Sequence, residues 1–482
     1  MKKLLLHSCL VFFIFIISLP KYLLAQNIGI GTTTPSEKLH VAGNIKEDTL
    51  KPTAIKLPLN AGAGKILTSD AAGNSSWRTN NIAAGGNVGF GVWGNCAANA
   101  NISEYNPVIG GANDGFASAV SISGNYAIVG ANKDDIGVNT DQGSASIYQY
   151  NGSNWVLMQK ITDATGAAND QFGTSVFISG NVAIIGANFD DVGANADQGS
   201  VSIYQNNGGT WVLAKKITDA TGEANDQFGV SVSLSGNYAI IGAYLDDGAA
   251  GADQGSASIY QYNGSTWVLM QKILDATGAA SDQFGISVSI SGNFAIAGAD
   301  FDDGAASNQG SASIFQYNGS SWVLLQKIID ANGGLGYKFG HSVSLSGNYA
   351  LVGSPTSFFF ESSVSFYQYS GTAWLLMQRT KNNTGYGSTS FGTSVSISGD
   401  YAIVGDGFDN IGVNSAQGSA TIYKRLGLGW GKLQYVTDPV GTQTEWFGLQ
   451  AAIDGNNKRF LLSALRYTFF PATGKAVFGK IN

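Results

Sequence analysis

Short runs of alternating apolar and small polar residues recur through most of the chain. In the stretch that begins at Phe228, the runs are VSVSLSG, YAIIGA, SASIYQY and WVLMQKI. Alternation with a period of two is typical of β-strands, and the Ser-Gly-Asn and Asn-Gly segments between the runs suit tight hairpin turns. The small side of each run carries Ser, Ala and Gly. The pattern therefore predicts four-stranded antiparallel sheets that are covered on both faces.

The same sequence pattern recurs at a nearly fixed period. A Phe opens each copy, followed by Gly in all but the first, and successive copies start 52 to 56 residues apart, at Phe116, Phe172, Phe228, Phe284, Phe339, Phe391 and Phe447. A period of this length with several strands per copy is the signature of a repeat array. Four strands per copy with both faces covered predict a propeller blade. The predicted fold class is all-β, a seven-bladed β-propeller over residues 99–482.

The two ends of the array complement each other. The last copy has three runs, FGLQAAID, RFLLSAL and GKAVFGKI, and no equivalent of WVLMQKI. Counting backwards from Phe116 places residues from Asn99 onward where that fourth run stands in other copies. We therefore expect residues near Asn101 to Tyr105 to pair with the last copy, which would close the ring and remove exposed sheet edges.

Several motifs recur in a fixed order from Phe116 to Asn482. They are Phe-Gly, a Gly-Ala pair that becomes Gly353-Ser354-Pro355 in the fifth copy, and GSASIYQYNGSxWVLxQKI. These motifs resemble FG-GAP repeats, a family that includes the seven-bladed heads of integrin α chains and many exported bacterial proteins. The family's calcium loop of spaced aspartates normally precedes the Gly-Ala-Pro strand. Ser-Gly-Asn stands there in this chain, as at Ser179 to Asn181, which argues against calcium binding of the family type.

The sequence before the repeat array predicts export of the protein. Residues 1–25 have a basic start, an apolar run from Leu4 to Leu19 and a small residue at Ala25, as a secretory signal peptide does; an uncleaved membrane anchor is the alternative. We expect a secreted or cell-surface protein with no membrane insertion after signal cleavage. Cys9 falls in this segment, which leaves Cys96 alone and predicts no internal disulfide.

Residues 26–82 are rich in Gly, Thr and Asn and hold too few apolar residues for a core of their own. They resemble the β-rich stalk segments of exported bacterial surface proteins and phage tail-fibre-like proteins. The segment would either form a homotrimer through this stalk or stay a flexible leader. Residues 83–98 form a Gly-rich linker. Its GFGVWG stretch matches a dinucleotide fingerprint only formally, because no strand-to-helix pattern accompanies it.

Composition narrows the partners. Only 12% of the residues are charged, and 33 acidic residues exceed 26 basic ones, so nucleic acid is not an expected partner. The 65 glycines and few prolines fit many short strands with tight turns.

Carboxylates gather in the loop between the second and third strands of each copy. Ligand-type side chains stand there on alternate residues, as in oxygen-rich calcium loops. The pattern decays along the chain, so Asx turns that satisfy loop backbone are the favoured explanation, and we assign no metal and no cofactor. The residues concerned are Asp135, Asn139 and Asp141; Asp191, Asn195 and Asp197; Asp247 and Asp253; Ser307 and Asn308; and Ala416.

The recurring aromatic residues are explained by packing. A buried Phe at an equivalent position in each copy would act as a wedge between neighbouring blades. A tryptophan also opens the fourth run of five copies, at Trp155, Trp211, Trp267, Trp322 and Trp374. Packing between blades is the favoured role, and an exposed carbohydrate platform is the alternative.

Candidate catalytic groups are few. Beyond the signal peptide the histidines are His40 and His341, and the chain has no HExxH and no GxSxG motif. We therefore assign no catalytic residue and expect a non-enzymatic binding or adhesion protein with a protein or glycan partner. The alternative is an extracellular polysaccharide hydrolase or lyase with carboxylates at the channel mouth. Its residues would be sought first in the irregular fifth copy, at Lys338, Glu361, Arg379 and Lys381.

Overall fold

The computed structural model describes residues 106–481, except 249–250, 305, 357–361, 382–389, 428 and 466–472, together with four short strands nearer the N-terminus. The chain divides into two units, residues 1–88 and 89–482. The described residues are strands and turns without helix, so no apolar helix of membrane-spanning length occurs among them.

In the first unit, β1 (Ile28–Ile30) pairs in parallel with β2 (Leu39–Val41), and β3 (Lys65–Ser69) pairs antiparallel with β4 (Ser75–Thr79). Apart from these strands, the predicted signal peptide, stalk and linker lie outside the described residues. The interpretation of residues 26–82 as a trimeric stalk stays a prediction.

The second unit consists of seven four-stranded antiparallel sheets, which confirms the predicted seven-bladed propeller. Blade 1 contains β6 (Phe116–Ser123), β7 (Tyr126–Ala131), β8 (Ser144–Tyr150) and β9 (Trp155–Ile161). Blade 2 contains β10 (Ser175–Ser179), β11 (Val182–Ala187), β12 (Ser200–Asn207) and β13 (Thr210–Ile217). Blade 3 contains β14 (Ser231–Ser235), β15 (Tyr238–Ala243), β16 (Ser256–Tyr262) and β17 (Trp267–Ile273).

The next three blades repeat this order. Blade 4 contains β18 (Ser287–Ser291), β19 (Phe294–Ala299), β20 (Ser311–Tyr317) and β21 (Trp322–Ile328). Blade 5 contains β22 (Ser342–Ser346), β23 (Tyr349–Ser354), β24 (Ser363–Tyr369) and β25 (Trp374–Lys381). Blade 6 contains β26 (Val395–Ser398), β27 (Tyr401–Asp406), β28 (Ser419–Leu426) and β29 (Gly429–Val436).

Blade 7 is built from both ends of the array. Its strands are β30 (Phe447–Asp454), β31 (Arg459–Leu465), β32 (Thr473–Lys480) and β5 (Asn106–Ala112). Strand β5 runs antiparallel to β32, with Val108 opposite Ala476 and Asn106 opposite Phe478. The prediction that the start of the array completes the last blade is therefore confirmed.

The position of the closing strand differs from the prediction. It occupies residues 106–112, whereas residues 101–105 lie outside the described residues. Ten residues separate the fourth strand of blade 1 from Phe172, but three, Asn113 to Gly115, separate β5 from Phe116. Asn113 and Gly115 turn the chain sharply with φ of 66° and 61°. Counting by the repeat period therefore placed the strand too early.

The apolar core lies between neighbouring blades. One cluster joins Ala145, Ile147 and Ile161 of blade 1 to Phe172 and Val176 of blade 2, and equivalent clusters follow around the ring. All seven repeated Phe side chains are buried, as predicted. The Gly after each later Phe allows the close approach of backbone: at Gly285, φ is +92° and an added Cβ would collide with the carbonyl oxygen of Ser256.

Candidate functional site

The two ends of the propeller differ in their connections. Because the strands of a blade alternate in direction, the tight turns between strands one and two and between strands three and four share one end. The longer loops, between strands two and three and between a fourth strand and the next blade, share the other end. We call these ends the hairpin face and the loop face.

The carboxylates of the loops between the second and third strands stabilise the loops themselves. Asp135 Oδ1 accepts a hydrogen bond from the backbone N–H of Asp141 at 2.9 Å, and Asp191 does the same for Asp197. Asp141 and Asp197 have φ of 50° and 53°, a conformation that Asp and Asn tolerate better than most residues. Asn195 donates from Nδ2 to Gln198 Oε1 and to the carbonyl of Gly222.

The hydrogen bond from the backbone to the first Asx side chain persists in copies that have lost other acidic residues of the loop. In later copies the first Asx side chain still accepts the same backbone bond, from Asp253 to Asp247, from Asn308 to Asp303 and from Ala416 to Asn410. The last residue supplies only its N–H, which explains why it can become Ala416. Within the described ranges, no three His, Cys, Asp or Glu side chains are grouped as metal ligands would be.

A second set of carboxylates gathers between blades, where the sequence analysis did not place one. Lys216 of blade 2 lies 2.8 Å from Asp163 and 2.6 Å from Asp190. Asp163 is in the loop that leaves blade 1, so the lysine joins two blades. Lys272 and Lys327 make the same pair of contacts at the next two junctions. The aspartates of these pairs are buried and the lysines are about a quarter exposed, so each lysine links two neighbouring blades at the edge of the core.

One more carboxylate sits beside each of these lysine clusters. Burial raises the pKa of Asp170 to about 6, with a further contribution from Asp190, and Asp226 behaves in the same way at the next junction. Each accepts a backbone hydrogen bond at 2.6 Å, from Ala167 and Glu223 respectively. These acids therefore titrate well above the ordinary range of aspartate.

Serine hydroxyls connect the inner strands around the axis. Ser233 Oγ accepts from the N–H of Ile290 at 3.2 Å, and Ser289 accepts from Leu345 at 3.0 Å. The inner strands of all seven blades enclose a cavity of about 330 Å³. The hydroxyls of Ser233 and Ser289, which line this cavity, are thus engaged in contacts between blades.

The tryptophans of the fourth strands pack between blades, as favoured from the sequence. Trp211, Trp322 and Trp374 are each 2% exposed and Trp267 is also buried. The Trp211 ring meets Tyr126 of the preceding blade edge to face at 5.6 Å. Trp155, next to the closing strand, is half-buried and stacks on Phe478 at 4.8 Å.

The junction of blades 4 and 5 departs from the repeat on the loop face. At the first two junctions an amide pair spans this position: Asn132 Nδ2 donates to Gln171 Oε1 at 3.0 Å, and Asn188 to Gln227 at 2.9 Å. At the 4/5 junction, Asp300 replaces the Asn and Lys338 replaces the Gln. We call Asp300, Phe301, Lys338 and His341 the blade 4/5 sector.

The charged groups of this sector are arranged around a buried acid. His341 Nδ1 lies 2.8 Å from Asp300 Oδ2, and Asp300 is 2% exposed. Asp300 Oδ1 is also buried and has no hydrogen-bond partner within the described chain. The Lys338 ammonium lies 4.4 Å from the centre of the Phe301 ring, a cation–π contact. Tyr244, which follows β15 of blade 3, also senses Asp300: burial raises the pKa of Tyr244, and the charges of Asp253 and, less strongly, Asp300 add to the shift.

The four residues singled out in the fifth copy have different outcomes. Lys338 belongs to the blade 4/5 sector, and Arg379 forms an ion pair with Asp330 at 2.7 Å. Lys381 ends β25, and Glu361 lies outside the described residues. Sequence reasoning missed Asp300. Its signal is the change of Gly-Ala-Asn to Gly-Ala-Asp in one copy, coupled to the lone His341 in the next.

The fold and these junctions define a closed, seven-bladed β-propeller whose blades share one repeat. The FG-GAP repeat model matches residues 110–148, 155–204, 211–260, 267–315, 322–365 and 380–423. The chain therefore belongs to the FG-GAP repeat family. Among solved structures, a crystal structure of a protein from Lactobacillus plantarum is similar, with 13% sequence identity over 68% of this chain and 86% of that chain and a TM-score of 0.44. No curated protein sequence matches the chain.

Proposed function

We propose that the chain is an exported, non-enzymatic binding or adhesion protein that presents a rigid β-propeller to a protein or glycan partner. Its repeats are of a kind typical of extracellular or surface proteins. The basic start and apolar run of residues 1–25 support export. Most of the recurrent carboxylates and lysines stabilise loops and junctions, which suits a scaffold better than a reaction centre.

One observation supports binding most directly. The fourth strands of blades 1 to 5 each expose two adjacent aliphatic side chains, which are 40 to 56% exposed. These pairs are Val156 and Leu157, Val212 and Leu213, Val268 and Leu269, Val323 and Leu324, and Leu375 and Leu376. Exposed apolar side chains repeated in this way are typical of interaction surfaces, and identical units suit multivalent binding. In blade 6, Gly431 and Lys432 stand at these positions.

The test replaces the exposed leucines with the residue that blade 6 already carries. Leu157→Lys, Leu213→Lys, Leu269→Lys, Leu324→Lys and Leu376→Lys should together leave the fold intact, as judged by circular dichroism and Tm. The variant and the parent would be screened against immobilised glycans and surface proteins. We expect binding by the parent and its loss in the variant. A well-folded parent that binds nothing in either screen would contradict the proposal.

A second candidate function is a hydrolase or lyase that acts on an extracellular polysaccharide. The Asp300–His341 pair favours it, because a histidine oriented by a buried carboxylate is a common device for proton transfer. Incubation with acidic and neutral polysaccharides would test it, with reducing ends and unsaturated products measured. Product formation that is lost in His341→Thr would establish this activity.

A further inference from the structure

We propose that the blade 4/5 sector binds an acidic sugar, with Lys338 contacting the sugar carboxylate and His341 contacting a sugar hydroxyl. The inference rests on the proposed binding function and names the class of glycan and the residues that would recognise it. It concerns one junction of the ring, since the other junctions lack this combination of residues.

The first argument for this site is that the Lys338 ammonium is available to bind an anion. Other lysines at blade junctions lie against carboxylates, as Lys216, Lys272 and Lys327 do. Lys338 forms no ion pair within the part of the chain that the structure describes, and it rests on the Phe301 ring instead. Its side chain is half-buried, so the ring restricts the ammonium while one side remains open to a ligand. An anionic group is the complement of such a cation.

The second argument is that the Asp300–His341 pair leaves a hydrogen-bond acceptor for the ligand. An ionised carboxylate can only accept, so the bond to Asp300 places the proton on His341 Nδ1 in neutral imidazole. Nε2 is then an acceptor, and no partner for it occurs among the described residues. The His341 side chain is 34% exposed, and a ligand hydroxyl could donate to it.

The two side chains act on the same ligand because one turn holds them together. The backbone N–H of His341 donates to the carbonyl of Lys338 at 3.1 Å. A ligand that contacts both must therefore offer an anion and a hydroxyl within a few ångströms of each other. A uronic acid residue has this combination. An oligoglutamate peptide would satisfy Lys338, but its side chains carry no hydroxyl that could donate to His341 Nε2.

The experiment uses the full chain and a panel of uronate trisaccharides, with neutral trisaccharides of the same linkage and an oligoglutamate peptide as comparisons. Affinities would be measured by calorimetry at two salt concentrations. Three variants install residues that other blades carry at the same position: Lys338→Gln, as at Gln227; His341→Thr, as at Thr174; and Asp300→Asn, as at Asn188. Such variants should keep the parent's Tm.

We expect at least one uronate trisaccharide to bind more tightly than its neutral counterpart, and its affinity to fall with added salt. Lys338→Gln and His341→Thr should each weaken this binding about tenfold or more. Lys215→Gln, which removes the same charge from an exposed outer strand, should leave it unchanged. The proposal is wrong if no uronate binds, if neutral sugars bind equally well, if only the peptide binds, or if Lys338→Gln and Lys215→Gln behave alike. Binding of other partners to the fourth strands would then still support the proposed function.

Discussion

Two neighbouring junctions of the ring are built from the same repeat and differ in their hydrogen bonds. At the junction of blades 3 and 4, Ser233 accepts a bond from Ile290 on the inner strand of the next blade, and Ser235 accepts one from Gly292 in the turn that follows it. On the outer side, the Gln271 side chain both donates to the carbonyl of Trp322 and accepts from its N–H, each at 2.9 Å. Four hydrogen bonds thus supplement the apolar contact.

The junction of blades 2 and 3 lacks all four. Phe177 stands at the position of Ser233, and Lys215 stands at the position of Gln271. Ser179, the equivalent of Ser235, makes no such bond within the described chain. Yet the wedge residues Phe228 and Phe284 are equally buried at the two junctions.

The comparison separates the contacts that both junctions share from those that only one of them has. Both junctions keep the buried Phe and the lysine that joins two aspartates, Lys272 in one and Lys327 in the other. Both also keep a serine that donates to the backbone of the next blade, Ser175 to Gly229 and Ser231 to Gly285. We infer that the apolar wedge and the ion pairs set the geometry of the ring, while the serine and glutamine bonds contribute to stability at individual junctions.

Truncation of the buried Phe should therefore lower stability more than any other change at a junction, and by the same amount at both junctions. Phe228→Ala and Phe284→Ala should each lower the free energy of unfolding by about 3 to 5 kcal/mol, because each leaves a cavity in a closed core. Denaturant unfolding followed by circular dichroism measures the loss. Val138→Ala, at a side chain that is 96% exposed, is the control and should change stability little. A large loss in one Phe variant alone would contradict a common role.

The buried acid beside the ion pair should have the next largest effect. Burial raises the folded-state pKa of Asp226 to about 6, above its ordinary value of 3.8. The folded state thus holds this proton to higher pH than the unfolded state, so the contribution of Asp226 to stability falls as pH rises from about 4 to about 6. Asp226→Asn should remove that penalty and stabilise the protein at pH 7 by up to about 3 kcal/mol. The gain should vanish towards pH 4.

Asp219 at the same junction provides a control of opposite sign. Burial acts to raise its pKa, but Lys272 and the Thr221 backbone outweigh burial and lower it. Its ionised form therefore stabilises the fold above the ordinary aspartate pKa, and this contribution is lost at lower pH. Asp219→Asn should destabilise the protein at pH 7. Thermal unfolding of both variants between pH 4 and pH 7 measures the two trends, and a shift of the same sign in both would contradict the assignment.

The sequence predicted the features that repeat in phase. The Phe wedges, four strands per copy and a last blade completed from the other end follow from spacing alone, because every blade solves the same packing problem. The closing strand was misplaced where the spacing breaks, between Ala112 and Phe116. There a three-residue turn replaces a ten-residue loop, and the period no longer fixes the register.

Contacts between copies were harder to predict. Lys216 and Asp163 are 53 residues apart, and which lysine meets which aspartate depends on how blades pack. Their recurrence in phase, copy after copy, was nevertheless visible in the sequence. The Asp300–His341 pair does not recur, so periodicity carried no signal for it, and only the geometry brings the two residues together.

The glutamine bonds should have a smaller effect than the wedge. Gln271→Ala leaves the backbone N–H and carbonyl of Trp322 without their partner, which should cost about 1 to 2 kcal/mol. The same truncation at the other junction, Lys215→Ala, removes an exposed side chain that makes no such bond and should cost close to nothing. Denaturant unfolding of the two variants gives the comparison directly. Equal losses would show that the outer bonds do not distinguish the junctions.

The smallest effect should come from adding the missing bond. Lys215→Gln gives the junction of blades 2 and 3 the glutamine that the junction of blades 3 and 4 has at Gln271. The new side chain would face the backbone of Trp267, as Gln271 faces that of Trp322. Two hydrogen bonds at a partly solvated site should raise the free energy of unfolding by about 0.5 to 1 kcal/mol. Lys215→Met, which removes the charge and adds no hydrogen bond, is the matched control. A gain in the glutamine variant alone would show that the junction accepts the bond it lacks. An equal gain in the methionine variant would assign the effect to lost charge, and the serine and glutamine bonds would then be a consequence of the blade geometry.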